Sequence, residues 1–220
     1  MNKNFTQFIE PANSERRWWI VGLTLILWAI FYMVLSSFFI LIMSNLLSLD
    51  NLKYGLFTTP IEVYVLLSTF LIWLVIFLIL VKLFHKRGLN SLIGKSKLIF
   101  FKNFIYAIII SGIFIISSQN LIPNNEKIIE NLRFSKWLSV LPLGMFLMFI
   151  QVSAEELLFR GYLQQQLATW VKSRWFFMVV PSLIFGLMHY DGTMGIKSGL
   201  IVVAVTGILG LFLADLTYRP

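Results

Sequence analysis

The sequence contains no cysteine, two histidines and only ten acidic residues among 220. Without cysteine there is no disulfide and no thiolate metal site. Charged residues make up 13% of the chain, against about 25% in soluble domains. What fills the chain instead is apolar: the hydrophobic fraction is 58% and the mean hydropathy is +0.83, where a soluble domain is about 45–50% apolar. Composition therefore predicts an all-α, polytopic membrane helix bundle, in contact with membrane lipids and of single-domain size. The net charge of +8 belongs to the loops of such a chain. Nucleic-acid binding would need a basic soluble face, and the sequence has none.

Six stretches are apolar enough to span, at about 18–47, 63–81, 103–122, 137–159, 175–190 and 198–215, given the roughly 20 residues needed to cross the hydrocarbon. The first follows Arg16 and Arg17 and carries no charge from Trp18 to Leu49. That is far longer than the about 7–15 residues of a signal-peptide core, so it reads as a retained helix. Trp18 and Trp19 are its interfacial anchor. The segment Lys82 to Lys102 holds six basic residues and no acid, which makes it cytoplasmic. Alternation then places the N-terminus inside and leaves eleven basic residues inside against five outside, with Arg160 and Arg219 set aside.

Charge inside this background is what calls for explanation. Glu155 and Glu156 follow eighteen uncharged residues, and Arg160 comes four positions later. The other eight acids sit in tails, loops or helix ends. A charge at the bilayer centre costs about 2.5–3.5 kcal/mol on insertion scales, so such residues are functional candidates by default. Glu156 and Arg160 are spaced to pair on one helix face. Glu155 is rotated by about 100° from Glu156, which leaves it free to face a cavity.

Of the histidines, His85 lies in the basic segment and reads as surface charge. His189, in "FGLMHYDG", closes an apolar run and shares a helix face with Phe185. Lys172, Ser173 and Arg174 form a plausible turn between the fourth and fifth spans. Glu155 lies eighteen residues before Ser173 and His189 sixteen after it, or about 27 and 24 Å along unbroken helices. An antiparallel hairpin would bring the two side chains to one level. There a carboxylate and an imidazole can hold and deprotonate a water. Pro181 is expected to kink the fifth span and free a backbone carbonyl. The run Gln164, Gln165 and Gln166 suggests that the fourth span emerges into the cytoplasm at that point.

Two motifs, E-E-x-x-x-R at Glu155, Glu156 and Arg160 and F-x-x-x-H at Phe185 and His189, resemble those of the CPBP family of intramembrane proteases. That family includes type II CAAX prenyl endopeptidases and bacteriocin-processing or immunity proteins. The resemblance covers roughly residues 135–219. It implies a protease-like core at 135–220 preceded by transmembrane helices at 1–134, in a bacterial cytoplasmic membrane. It also implies that Glu155 is the general base, that His189 helps hold the water, and that Glu156, Arg160 and Phe185 support the site. The substrate implied is a peptide or lipidated-protein tail. No cofactor is expected. A divalent metal stays open, although one histidine and two acids, one tied to Arg160, barely reach the three protein ligands usual for catalytic zinc. The family pattern continues into a helix carrying H-x-x-x-N or H-x-x-x-D, whose residues stabilise the oxyanion. No histidine follows His189, and "GLFLADLTYR" resembles the lead-in to that helix, so the expectation is a core that stops short of it.

Other readings of the same residues stand beside this one. The charged trio is also a possible polar knot joining helices, in a non-catalytic immunity or scaffold protein of the same fold. Alternatively, its carboxylates carry protons in a transporter. Asp191 is placed either to orient His189 or simply in a solvated loop. Asp215 and Arg219 are expected to pair, and Gly207 and Gly210 to permit close helix packing. The oligomeric state is not legible.

Overall fold

The computed structural model describes residues 3–55, 57–93, 105, 106, 109, 113 and 132–219, and every regular element among them is helical. A short helix α1 (Lys3–Ile9) and a 3-10 turn (Glu10–Ser14) precede the long α2 (Trp18–Leu46). After α3 (Asp50–Lys53) come α4 (Pro60–His85) and α5 (Leu89–Ile93). The chain resumes with α6 (Phe134–Leu158), a π-helical segment (Phe159–Gln164) and α7 (Gln165–Trp170). It closes with α8 (Arg174–Leu187), a 3-10 turn (Gly192–Met194) and α9 (Ile196–Tyr218).

Contacts divide the chain into two compact units. One is Gly94–Pro142, in which the rings of Phe134 and Trp137 stack with centroids 5.9 Å apart. The third expected span, 103–122, falls almost wholly outside the described residues. The other unit joins Met1–Ile93 to Leu143–Pro220 and holds all the candidate site residues.

Four described helical runs are long and apolar enough to cross a membrane: Trp18–Leu46, Pro60–His85, Phe134–Trp170 and Ile196–Tyr218. Only 17% of the most apolar window of α9 is buried in protein, so most of its apolar surface is left for lipid. Together these helices make the chain a multi-pass membrane protein. The fifth expected span is corrected: α8 has 14 residues, about 21 Å at the α-helical rise, which is short of the roughly 30 Å hydrocarbon core. It starts at Arg174 and ends at Leu187, and His189 lies in the turn that follows. Pro181 lies inside α8 and cannot donate to the carbonyl of Phe177.

α4 begins with a capping box. Thr59 and Glu62 cap each other, and Glu62 Oε2 also accepts from Thr58 N at 2.7 Å. These bonds meet backbone donors that would otherwise be orphaned at a membrane-helix end. α8 and α9 approach so closely that a Cβ on Gly186 would lie 2.6 Å from Val203 O. One on Gly210 would lie 3.2 Å from the Phe185 ring. Gly207 has more room, with Ser182 O its nearest neighbour at 3.6 Å. Close packing is therefore real, and Gly186 is its tightest point.

One sequence expectation fails at the far end of the fourth span. The glutamines there are packed inside the protein: Gln164, Gln165 and Gln166 are fully buried, with Gln164 Nε2 donating to Ala214 O at 3.0 Å and Gln165 Nε2 to Ser91 O at 3.1 Å. His85 is not surface charge. It is 2% exposed, and its Nε2 lies 2.7 Å from Tyr162 Oη and 3.1 Å from Thr24 Oγ1. The N-terminal segment covers this end. Phe5 packs on Phe177 and Tyr218, with centroids 5.1 Å away in each case, and Trp170 Nε1 donates to Arg16 O at 2.7 Å. The Gln166 amide, oriented with its nitrogen on Glu15 O and its oxygen toward Arg87 Nη1, ties that segment to the network. Burial lowers the pKa of Arg87 to about 10.

Candidate active site

Glu155 lies on α6, within a helical run that carries on through the π-helical segment. Its Oε1 accepts from Gln151 Nε2 at 3.2 Å, one helical turn earlier. Both residues line a cavity of about 180 Å³ together with Phe70, Trp73, Phe159, Phe185, Met188 and His189. The hairpin register expected from the spacing is thus met: carboxylate and imidazole border one space. The volume suits water and a single peptide unit, and falls below the about 300–1,000 Å³ of a pocket for a drug-sized ligand.

His189 Nδ1 lies 2.8 Å from Phe185 O. A carbonyl oxygen only accepts, so Nδ1 carries the proton and Nε2 keeps a lone pair. Phe185 also fixes the ring by contact, with centroids 4.6 Å apart. Asp191 does not orient His189. Its carboxylate accepts from Thr193 N at 2.9 Å and from Thr193 Oγ1 at 2.6 Å, and those bonds lower its pKa.

The two acids part company. Glu156 Oε1 sits 2.9 Å from Arg160 Nη1, an ion pair whose angle falls outside hydrogen-bond geometry. Arg160 is buried and its Nη2 donates to Gly210 O at 3.1 Å. Its guanidinium lies over the Phe185 ring, 4.9 Å from the centroid, a favourable cation–π position. Neither Glu156 nor Arg160 lines the cavity. Arg160 and Gln164, four residues apart, reach the carbonyls of Gly210 and Ala214, also four apart. The π-helical segment thereby serves as the seam with α9. Asp215 meets both Arg174 and Arg219, the latter at 3.0 Å.

Sequence reasoning missed Gln151, Phe70, Trp73 and Met188. Gln151 was within reach, since it stands one turn before Glu155 on the same face. The α4 aromatics were not, because no local pattern links them to α6. Among the described residues, no group of three or more His, Cys, Asp or Glu comes together that could hold a metal ion.

Residues 136–220 match the model of the family described as "Type II CAAX prenyl endopeptidase Rce1-like". No curated protein and no solved structure shows a match to the chain. Glu155, Glu156, Arg160, Phe185 and His189 all lie in the matched segment, while Phe70 and Trp73 lie outside it. With the two motifs in order and the family match over the same helices, residues 136–220 are an Rce1-like domain of the type II CAAX prenyl endopeptidase family.

Proposed function

We propose that the protein is an intramembrane endopeptidase that hydrolyses a peptide bond in a peptide or lipidated-protein tail, with Glu155 as general base. The observation that carries this reading is the shared cavity: Glu155 and His189 border one small space, and each is already held by a neighbour. Gln151 occupies Glu155 Oε1, which leaves Oε2 to accept from a water. Phe185 O occupies His189 Nδ1–H, which leaves Nε2 to accept the water's second hydrogen. A water held this way keeps its lone pairs free for a carbonyl carbon.

As the water oxygen bonds to that carbon, its proton passes to Glu155. The C–N bond then breaks, and Glu155 returns the proton to the departing amine. The products are a carboxylate and an amine. Glu156 and Arg160 hold the helices that carry this pair. The Lys and Arg asymmetry supports an N-terminus in the cytoplasm, with the substrate tail approaching from that side.

The test is cleavage of a prenylated peptide by the full chain in lipid nanodiscs, compared with Glu155→Gln. Loss of cleavage with unchanged protein level and melting temperature supports the reading. Equal activity in the variant, or a Glu155→Gln cell phenotype identical to wild type, favours the non-catalytic scaffold. Proton-coupled flux in vesicles favours the transporter.

A further inference from the structure

Both polar groups that border the cavity are held from within their own stretch of chain. Gln151 Nε2 donates to Glu155 Oε1 at 3.2 Å, and His189 Nδ1 meets Phe185 O at 2.8 Å. Each bond spans four residues, so neither depends on how α6 and α8 sit against each other. Beside the cavity the contact between the two stretches is aromatic. Phe159 meets Phe185 edge-on, with centroids 5.1 Å apart. A substrate that widens the cavity therefore leaves each group's own holder in place.

Gln151 is the one amide side chain in α6, set between Ile150 and Val152. An amide in apolar surroundings is costly unless it is hydrogen-bonded. The bond to Glu155 is the only one this side chain makes among the described residues. As helix support it adds little, since pairs of this spacing are weak. Its bearing on the carboxylate is larger. An unrestrained glutamate samples many rotamers, whereas a general base works only within hydrogen-bond reach of the proton it takes. We propose that Gln151 is the positioning residue of the general base: it holds Glu155 by one oxygen and leaves the other for the water. Gln151 lies outside both sequence motifs, and although it lines the same cavity it acts through Glu155 and not on the substrate. This inference rests on the peptide-hydrolysing reading of the cavity.

The test uses the full chain in nanodiscs, with a prenylated peptide as probe. Gln151→Met keeps the length of the side chain and removes the donor. It is expected to lower kcat by about 10- to 100-fold, the weight of a hydrogen bond to a charged group, with KM unchanged. The melting temperature should hold or rise, because an amide leaves an apolar helix. A second readout needs no turnover. The Glu155 carboxyl absorption, found as the infrared band that Glu155→Gln removes, is expected to shift in Gln151→Met. Full kcat in Gln151→Met overturns the proposal. So does a raised KM at wild-type kcat, which would make Gln151 a substrate contact. A loss of kcat matched by a fall in melting temperature overturns it too, and makes Gln151 a structural residue. Wild-type protein that cuts no peptide overturns the hydrolase reading instead. The infrared band then decides whether Gln151 holds Glu155, and an unmoved band overturns the proposal whether or not cleavage occurs.

Discussion

The two histidines stand in opposite kinds of polar pocket, and the contrast separates structure from chemistry. Around His85 both ring nitrogens have neighbours, Tyr162 and Thr24 at Nε2 and the Gln166 amide 3.4 Å from Nδ1, and the residues around it are buried. Around His189 one nitrogen is held and the ring borders open space. A saturated network specifies how helices meet. A half-used one beside a cavity has capacity left for a substrate. Both lie along the same helical run, with Glu155 facing the cavity and Tyr162 reaching His85 from within the π-helical segment.

Substitutions can sharpen or break that contrast. The largest effect belongs to Glu155→Gln, which should cut turnover by about 10²–10⁴-fold, the range of a general base, without lowering the melting temperature. A destabilised but active variant would place Glu155 with the structural set. Arg160→Met tests the seam between the two regions. It leaves Glu156 uncompensated and Gly210 O without its donor, for about 3 kcal/mol of stability, the low end for a broken buried pair because Glu156 is 36% exposed. Adding Glu156→Gln should recover part of that loss in a denaturation assay. His189→Gln should lower turnover by about 10²-fold and move the melting temperature little.

His85→Phe should do the reverse. Loss of its bonds takes a partner from the buried Tyr162 hydroxyl, for about 1–3 kcal/mol, while the turnover of each folded molecule stays unchanged. Thr24→Val is the smallest, at about 0.5–1.5 kcal/mol for one hydrogen bond, again with turnover intact. Exchange of the His85 and His189 phenotypes would refute the division.

How much of this was legible follows the range of the interactions. Glu156 and Arg160 pair one turn apart, so their spacing was enough. Glu155 and His189 meet across a short hairpin, and counting residues from the turn at Ser173 put them level. His85 was misread because its partners lie 61, 77 and 81 residues away, and a basic local neighbourhood says nothing of them. The burial of the glutamine run has the same long-range cause, since α1, α5 and α9 pack around it. Arg174 and the turn at Met188–His189 explain the shortened fifth helix, whose boundary the apolar count overran. Phe70 and Trp73 left no local signal at all.

The central claim is that Glu155 and His189 share a wet cavity. A cryo-EM map of the full chain in nanodiscs, at a resolution that shows ordered water, tests it most directly. The account predicts a water within hydrogen-bonding distance of both Glu155 Oε2 and His189 Nε2. Acyl-chain density against Glu155, or packed side chains filling the space between the two residues, would contradict it.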